Sequence, residues 1–306
     1  MNIFSKMMRS IMLVGLVLVF VTGMGFAAGE GEEGSGAEDL GRVRIGYVEW
    51  DREPAHTFLI GEVMERIGFD VEVISLANPA MWEAIATGDI DAHVSAWLPA
   101  THGEFWEEHG DELVDLGPHF EGAGLGLVVP TYLEDINSIE DLVENADMFD
   151  NTITGIDPGA GMMSQTEEAI DEDTTGLGVF ELTEGSDASM IGALSDAIDR
   201  EEPIVVTGWD PHIKFARFDL KILDDPDGIY GEEETINTIV RDDLEEDNPA
   251  AYRFFAETDW FAVHEPIDEI MVLSADGMRS EDAAEQVVDE YFDSINDALP
   301  SDMQMP

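Results

Sequence analysis

From Val43 onward the hydrophobic pattern of this chain switches repeatedly between a period of two and a period near 3.6. That switching confines it to an α/β fold built on a largely parallel sheet. A strand-like run at 43–48 leads into a helical face carrying Phe58, Leu59, Val63, Met64 and Ile67, which Gly68 ends. A strand at 71–76, a helix at 79–87 stopped by Gly88, and a strand at 91–97 complete a βαβαβ pattern. A second cycle runs through a strand at 153–156, a helix at 161–170, a strand at 179–182, a helix at 189–199 and a strand at 204–208. A further strand at 236–240 precedes amphipathic helices at 250–257 and 281–298. Two βα cycles with a helical tail predict two lobes and a cleft. Residues 42–127 plus 231–306 are expected to form the first lobe, and 128–230 the second.

Three tryptophans stand at the ends of predicted strands: Trp50, Trp97 and Trp209. Ligands of open α/β sheets bind beyond the carboxyl ends of the strands. A single buried Trp is more often core than site, but three at strand ends point to a site. The indole face is the best side-chain partner for a cation, and several together suit a quaternary ammonium group. Trp82, inside a helical run, and Trp106 and Trp260, with no strand-end context, read as packing.

The run GIDPGAG at 155–161 joins a strand to a helix. Unpaired N–H groups at such a helix start, at the positive end of its dipole, favour an anion. The turn lacks the Gly-Lys-Ser/Thr ending of a phosphate loop, so a carboxylate is the better guest. His102, four residues beyond the Trp97-Leu98 strand end, is placed to donate a hydrogen bond to such a group; a packed or solvent-facing histidine is the alternative. His93 reads as structural, and His212 as a neighbour of Trp209. His56, His109, His119 and His264 lack metal-ligand spacing. The glycines of GAGLG at 122–126 precede a strand rather than joining strand to helix, so a dinucleotide loop fails its context. No cysteine, GxSxG or HExxH is present, and Ser95 and Ser164 stand without a visible triad. An exported hydrolase of a small cationic ester would want the same cage, but nothing supplies its nucleophile and base. No cofactor and no metal are expected.

Lys6 and Arg9, an apolar stretch at 11–20 and small residues near Ala27 and Ala28 read as a signal peptide over 1–28. Residues 29–41 read as a flexible acidic tether. Without cysteine the chain has no lipid-attachment site, so the exported product is expected to be a monomer free in a periplasm, or held by an uncleaved signal segment. The 306 residues carry 69 acids against 13 bases, a formal charge of −56. Removing 1–28 takes away Lys6 and Arg9 and no acid, which leaves −58. Nucleic acid and anionic membrane surfaces are poor partners for such a surface, and no nucleic acid is expected. Self-repulsion of this size is screened within about 3 Å at 1 M salt, so the surface suits a saline exterior.

Taken in order, VEWD at 48–51, MWEAIATG at 81–88, SAWLPATH at 95–102, GIDPGAG at 155–161 and VTGWDPH at 206–212 resemble the substrate-binding proteins of glycine betaine/proline betaine ABC transporters. The resemblance extends from about Val43 to the C-terminal helix. It implies a two-lobed periplasmic-binding-protein-like fold of type II that closes on its ligand and delivers it to an ABC permease, with no bond made or broken. It implies that Trp50, Trp97 and Trp209 box a trimethylammonium group. The carboxylate is then held by the backbone amides of Gly155 and Ile156 and by His102. Glycine betaine is the expected ligand, with choline, carnitine or dimethylsulfoniopropionate as alternatives. Many family members read PHW after the third Trp, where this chain has Ile213.

Overall fold

The computed structural model describes residues 40–306. The signal peptide expected at 1–28 and most of the tether lie outside the described residues. The first βα cycle is β1 (Arg42–Tyr47), α1 (Glu53–Ile67), β2 (Asp70–Ser75), α2 (Asn78–Ala86) and β3 (Ala92–Leu98), followed by α3 (Gly103–His109). A strand of 18 residues, β4 (Leu113–Pro130), comes next. The second cycle holds α4 (Ile139–Glu144), β5 (Thr152–Thr154), α5 (Gly161–Asp171), β6 (Glu181–Thr183), α6 (Asp187–Asp199), β7 (Val206–Asp210), α7 (Lys214–Arg217) and β8 (Leu220–Ile222). The chain then returns as β9 (Glu234–Arg241) and five helices: α8 (Leu244–Asp247), α9 (Pro249–Glu257), α10 (His264–Ala275), α11 (Ser280–Glu290) and α12 (Phe292–Ala298).

The strands pair in the order β2-β1-β3-β9-β4-β7-β5-β6, with β8 also on β4. β1 lies parallel to both β2 and β3, so the ends of β1 and β3 that carry Trp50 and Trp97 face the same way. β4 joins the lobes. Its residues from Leu113 to Ala123 pair with β9, and those from Gly124 onward pair with β7 and β8. Three register shifts bend it on the β9 side. The glycines at 122–126 lie inside this strand rather than ahead of it. Gly122 has φ +81 at the change of partner, and a Cβ on Gly126 would press on Ile222.

α1 forms where the pattern placed it, with Pro54 in its first turn and Gly68 closing it in the left-handed region. Leu59, Ile60, Val63 and Met64 pack it against β1, β3 and the C-terminal helices. Each such fully buried side chain contributes about 1.5–3 kcal/mol. On the other side of this sheet Met81, Trp82 and Ile85 of α2 bury against Ile90, Ala96 and Ile239. The tail helix expected over 281–298 is broken at Tyr291 into α11 and α12. Both still pack on the first lobe through Val287, Val288 and Ile295. Leu40 is also held there, by Gly68 and the Asn248 side chain. A core of Leu127, Ile139, Leu142, Ile153 and Leu177 fills the second lobe. A further cluster joins Trp97 and Ile236 to Trp209, Met162 and Ile156, so the two lobes meet across apolar surface.

Four buried histidines influence stability. His93 sits against the carbonyl of Gly46 and His119 against that of Val94. Burial lowers the imidazole pKa of His93 to about 4 and those of His102 and His119 to about 3, and lowers His56 well below its ordinary value. The unfolded chain therefore takes up protons near pH ~6.5 that the folded chain refuses. Stability is expected to fall as pH drops from that value toward about 4, by up to about 1.4 kcal/mol per pH unit for each histidine. Denaturant unfolding across that window measures this; a flat profile would contradict it.

Candidate functional site

One cavity, of about 40 Å³, lies between the lobes and is bordered by Trp50, Trp97 and Trp209. That is more than the ~10–15 Å³ needed to admit one water. Trp97 is the next-to-last residue of β3 and Trp209 the next-to-last of β7, and both are buried. Trp50 stands in the turn between β1 and α1. There the Val48 N–H donates to Glu53 Oε1 (2.8 Å) and the Trp50 N–H donates to the Val48 carbonyl (2.8 Å). The Trp50 Nε1–H reaches the second lobe and donates to Asp157 Oδ2 (3.0 Å). Leu125 and Ile156 add aliphatic side chains to this wall of indoles, and indole faces attract cations.

The same cavity is also lined by hydrogen-bond donors. The Trp97 N–H donates to His102 Nδ1 (3.0 Å), so the hydrogen of this neutral ring sits on Nε2. That Nε2 is buried and has no partner. The ring is gripped by Trp82 and Phe105, whose centroids lie 5.5 and 6.2 Å away. Facing it, α5 begins at Gly161 after the N-cap Ala160, which has no capping side chain. Ala160, Gly161 and Met162 border the cavity. Among the described residues the N–H groups of Gly161 and Met162 find no hydrogen-bond partner. Two free amides at the positive end of an 11-residue helix, plus an imidazole N–H, are donors of the kind that can hold an anion.

Of the six residues singled out from sequence, five border this cavity: Trp50, Trp97, Trp209, His102 and Ile156. Gly155 does not. Its N–H already donates to the Thr183 carbonyl (2.9 Å), continuing the pairing of β5 with β6. Ile156 contributes its side chain, while its N–H points at Met163 Sδ (3.2 Å). The free amides of the GIDPGAG run are thus at its far end, where the helix starts. The sequence held that signal, because the first turn of a helix is where amides lack partners.

Several residues at the site had no legible motif. Glu53, wholly buried, lines the cavity beside Ser95, and burial drives its carboxyl pKa well above the ordinary value. Glu234 of β9 accepts from the N–H groups of Ala100 and Thr101 and from the Thr101 hydroxyl, pinning the loop that carries His102. Across the mouth, the Asp51 N–H donates to Asp187 Oδ2 (2.9 Å) and the Ile213 N–H to Asp51 Oδ2 (2.5 Å). His212 lies between those two carboxylates, 3.2 Å from Asp51 and 3.1 Å from Asp187. Asn78 Nδ2 of the first lobe donates to the Gly159 carbonyl of the second (3.0 Å). Polar contacts on both sides of the cavity hold the lobes shut.

Residues 41–291 match the family model described as the substrate-binding domain of ABC-type glycine betaine transport systems. The chain belongs to that family. A crystal structure of lactococcal OpuAC, in its closed-liganded conformation with glycine betaine, is similar at 37% identity with a TM-score of 0.78, covering 85% of this chain and 99% of that one. A glycine/betaine/L-proline-binding protein (ProX) from Borrelia burgdorferi is similar at 35% identity and TM-score 0.80, over 86% of this chain and 98% of that one. The glycine betaine/carnitine transport binding protein GbuC of Listeria monocytogenes is 43% identical over 144 residues. That match spans 47% of this chain and 47% of the relative, about half the length of each. As in other glycine betaine substrate-binding domains of this family, the fold is two-lobed with a ligand cleft between the lobes. Ile213, which follows the Pro211-His212 pair, packs against the core of the first lobe.

Proposed function

We propose that this protein captures glycine betaine, or a closely related betaine, outside the cytoplasm and presents it to an ABC permease. The observation that carries the reading is the polarity of the cavity. Three indoles border it together with His102, whose Nε2–H has no partner, and with the start of α5, where the amides of Gly161 and Met162 have none among the described residues. A betaine has a fixed cation that cannot donate hydrogen bonds and a carboxylate a few ångströms away, so it pairs with both sets of groups at once. Because Trp50, Trp97 and His102 belong to one lobe and Trp209, Gly161 and Met162 to the other, a bound betaine favours closure. The closed form is then what a permease recognises. The protein works as an exported periplasmic monomer whose lobes change over within β4, near Gly124, rather than after residue 127. On this reading it acts by binding and release, with no bond made or broken, in keeping with its match to a substrate-binding domain family.

Titration calorimetry with glycine betaine, proline betaine, carnitine and choline in high salt tests the reading; absence of heat with every betaine would sink it. His102→Ala is expected to weaken glycine betaine by at least about tenfold, as for loss of a hydrogen bond to a charged group. Choline has no carboxylate, so its residual affinity is expected to change little. An equal loss for both ligands would move His102 out of the anion site.

A further inference from the structure

Lys214 is one of only two lysines beyond residue 28 in a chain with 69 acids, and it is fully buried. Its Nζ lies 4.3 Å from the centroid of the Trp209 ring and 3.5 Å from the Trp209 carbonyl. Trp209 borders the cavity and Lys214 does not, so the indole separates the ammonium from the ligand space. Nothing in the capture of a betaine requires a cation there.

We infer that Lys214 is a charge filter: its ammonium, acting through Trp209, disfavours quaternary amines of net positive charge relative to zwitterions. Two cations on either side of one indole draw on the same ring quadrupole and repel each other through a poorly hydrated medium. A betaine brings its own carboxylate, which offsets that repulsion; choline brings none. The inference rests on the betaine reading of the cavity. The titratable groups facing Lys214 are Asp51 from the turn before α1, Asp187 at the start of α6, and Asp210 and His212 at the end of β7. The three carboxylates outnumber the ammonium, which offsets part of their charge in the wild type. Removing it leaves their charge behind Trp209, which pushes in the same direction, toward cations.

The test is the ratio of choline to glycine betaine affinity in wild type, Lys214→Met and Lys214→Arg, by calorimetry below pH 7, where the ammonium holds its proton. Lys214→Met is expected to shift the ratio toward choline by about tenfold, or about 1.4 kcal/mol. Lys214→Arg should leave it in place. Without any substitution, raising the pH of the wild type through about 7 should move the ratio in the same direction, and the shift should persist in His212→Gln. An unchanged ratio in Lys214→Met with betaine binding intact, or a pH shift abolished by His212→Gln, overturns the filter. Failure of the wild type to bind glycine betaine at all strikes the reading of the cavity instead, so the two failures are distinguishable.

Discussion

Trp97→Ala, and equally Trp50→Ala or Trp209→Ala, is expected to lower glycine betaine affinity by at least about tenfold. A desolvated cation over an indole face contributes about 2 kcal/mol or more. All three rings border the same cavity, and each leaves a gap that water can enter when truncated. Trp106→Phe is the control. That residue lies on α3 outside the cavity, and its replacement should leave affinity within error. Calorimetry on the four variants decides the matter. Unchanged affinity in all three Trp→Ala variants would remove the box from the account. Loss in only one would reduce it to a single aromatic contact.

Gly161→Ala should damage binding as severely through a different cause. A Cβ at Gly161 would overlap the Thr101 backbone carbonyl oxygen, which belongs to the opposite lobe. Backbone cannot swing aside as a flexible side chain can, and Glu234 clamps this loop by its N–H groups. Within its own helix alanine is welcome, being a better helix former than glycine. The overlap therefore arises only when the lobes close. Overpacking of this kind costs about 1–3 kcal/mol, so affinity is expected to fall by about ten- to a hundredfold while the thermal midpoint of the ligand-free protein stays near that of the wild type. Calorimetry with glycine betaine and a melt followed by circular dichroism separate the two effects. A variant that binds as tightly as wild type would show that closure does not bring Gly161 onto Thr101.

The two predictions rest on different kinds of information. Trp97 and Trp209 sit where the alternation of strand and helix placed them, because a period-two run fixes both the strand and its carboxyl end. Trp50 follows the same logic, although β1 stops at Tyr47 and the indole is delivered by a turn. That turn is held by the Glu53 carboxylate, a contact between residues five apart that no periodicity records. The anion end was half legible. The strand–turn–helix junction could be read at 155–161, but which amides remain free depends on what the neighbouring strand takes. Thr183 takes the amide of Gly155, and none of the described residues takes those of Gly161 and Met162. Strand pairing partners are set by topology, which the local pattern does not carry. The same holds for β4, whose glycines serve a change of partner from β9 to β7.

By itself the sequence determined the α/β class, the two cycles with their helical tail, and the supply of indoles, glycines and one histidine. Each of these depends on local spacing and side-chain chemistry. Only the tertiary structure decided which ends of the two cycles face one another. It brought His102 and the start of α5 to one cavity, closed the mouth through Asp51, His212 and Asp187, and set a buried ammonium over the Trp209 ring. The physical reason is that these contacts join residues separated by between 5 and 162 positions, and the longer of them form only when both lobes have folded and met.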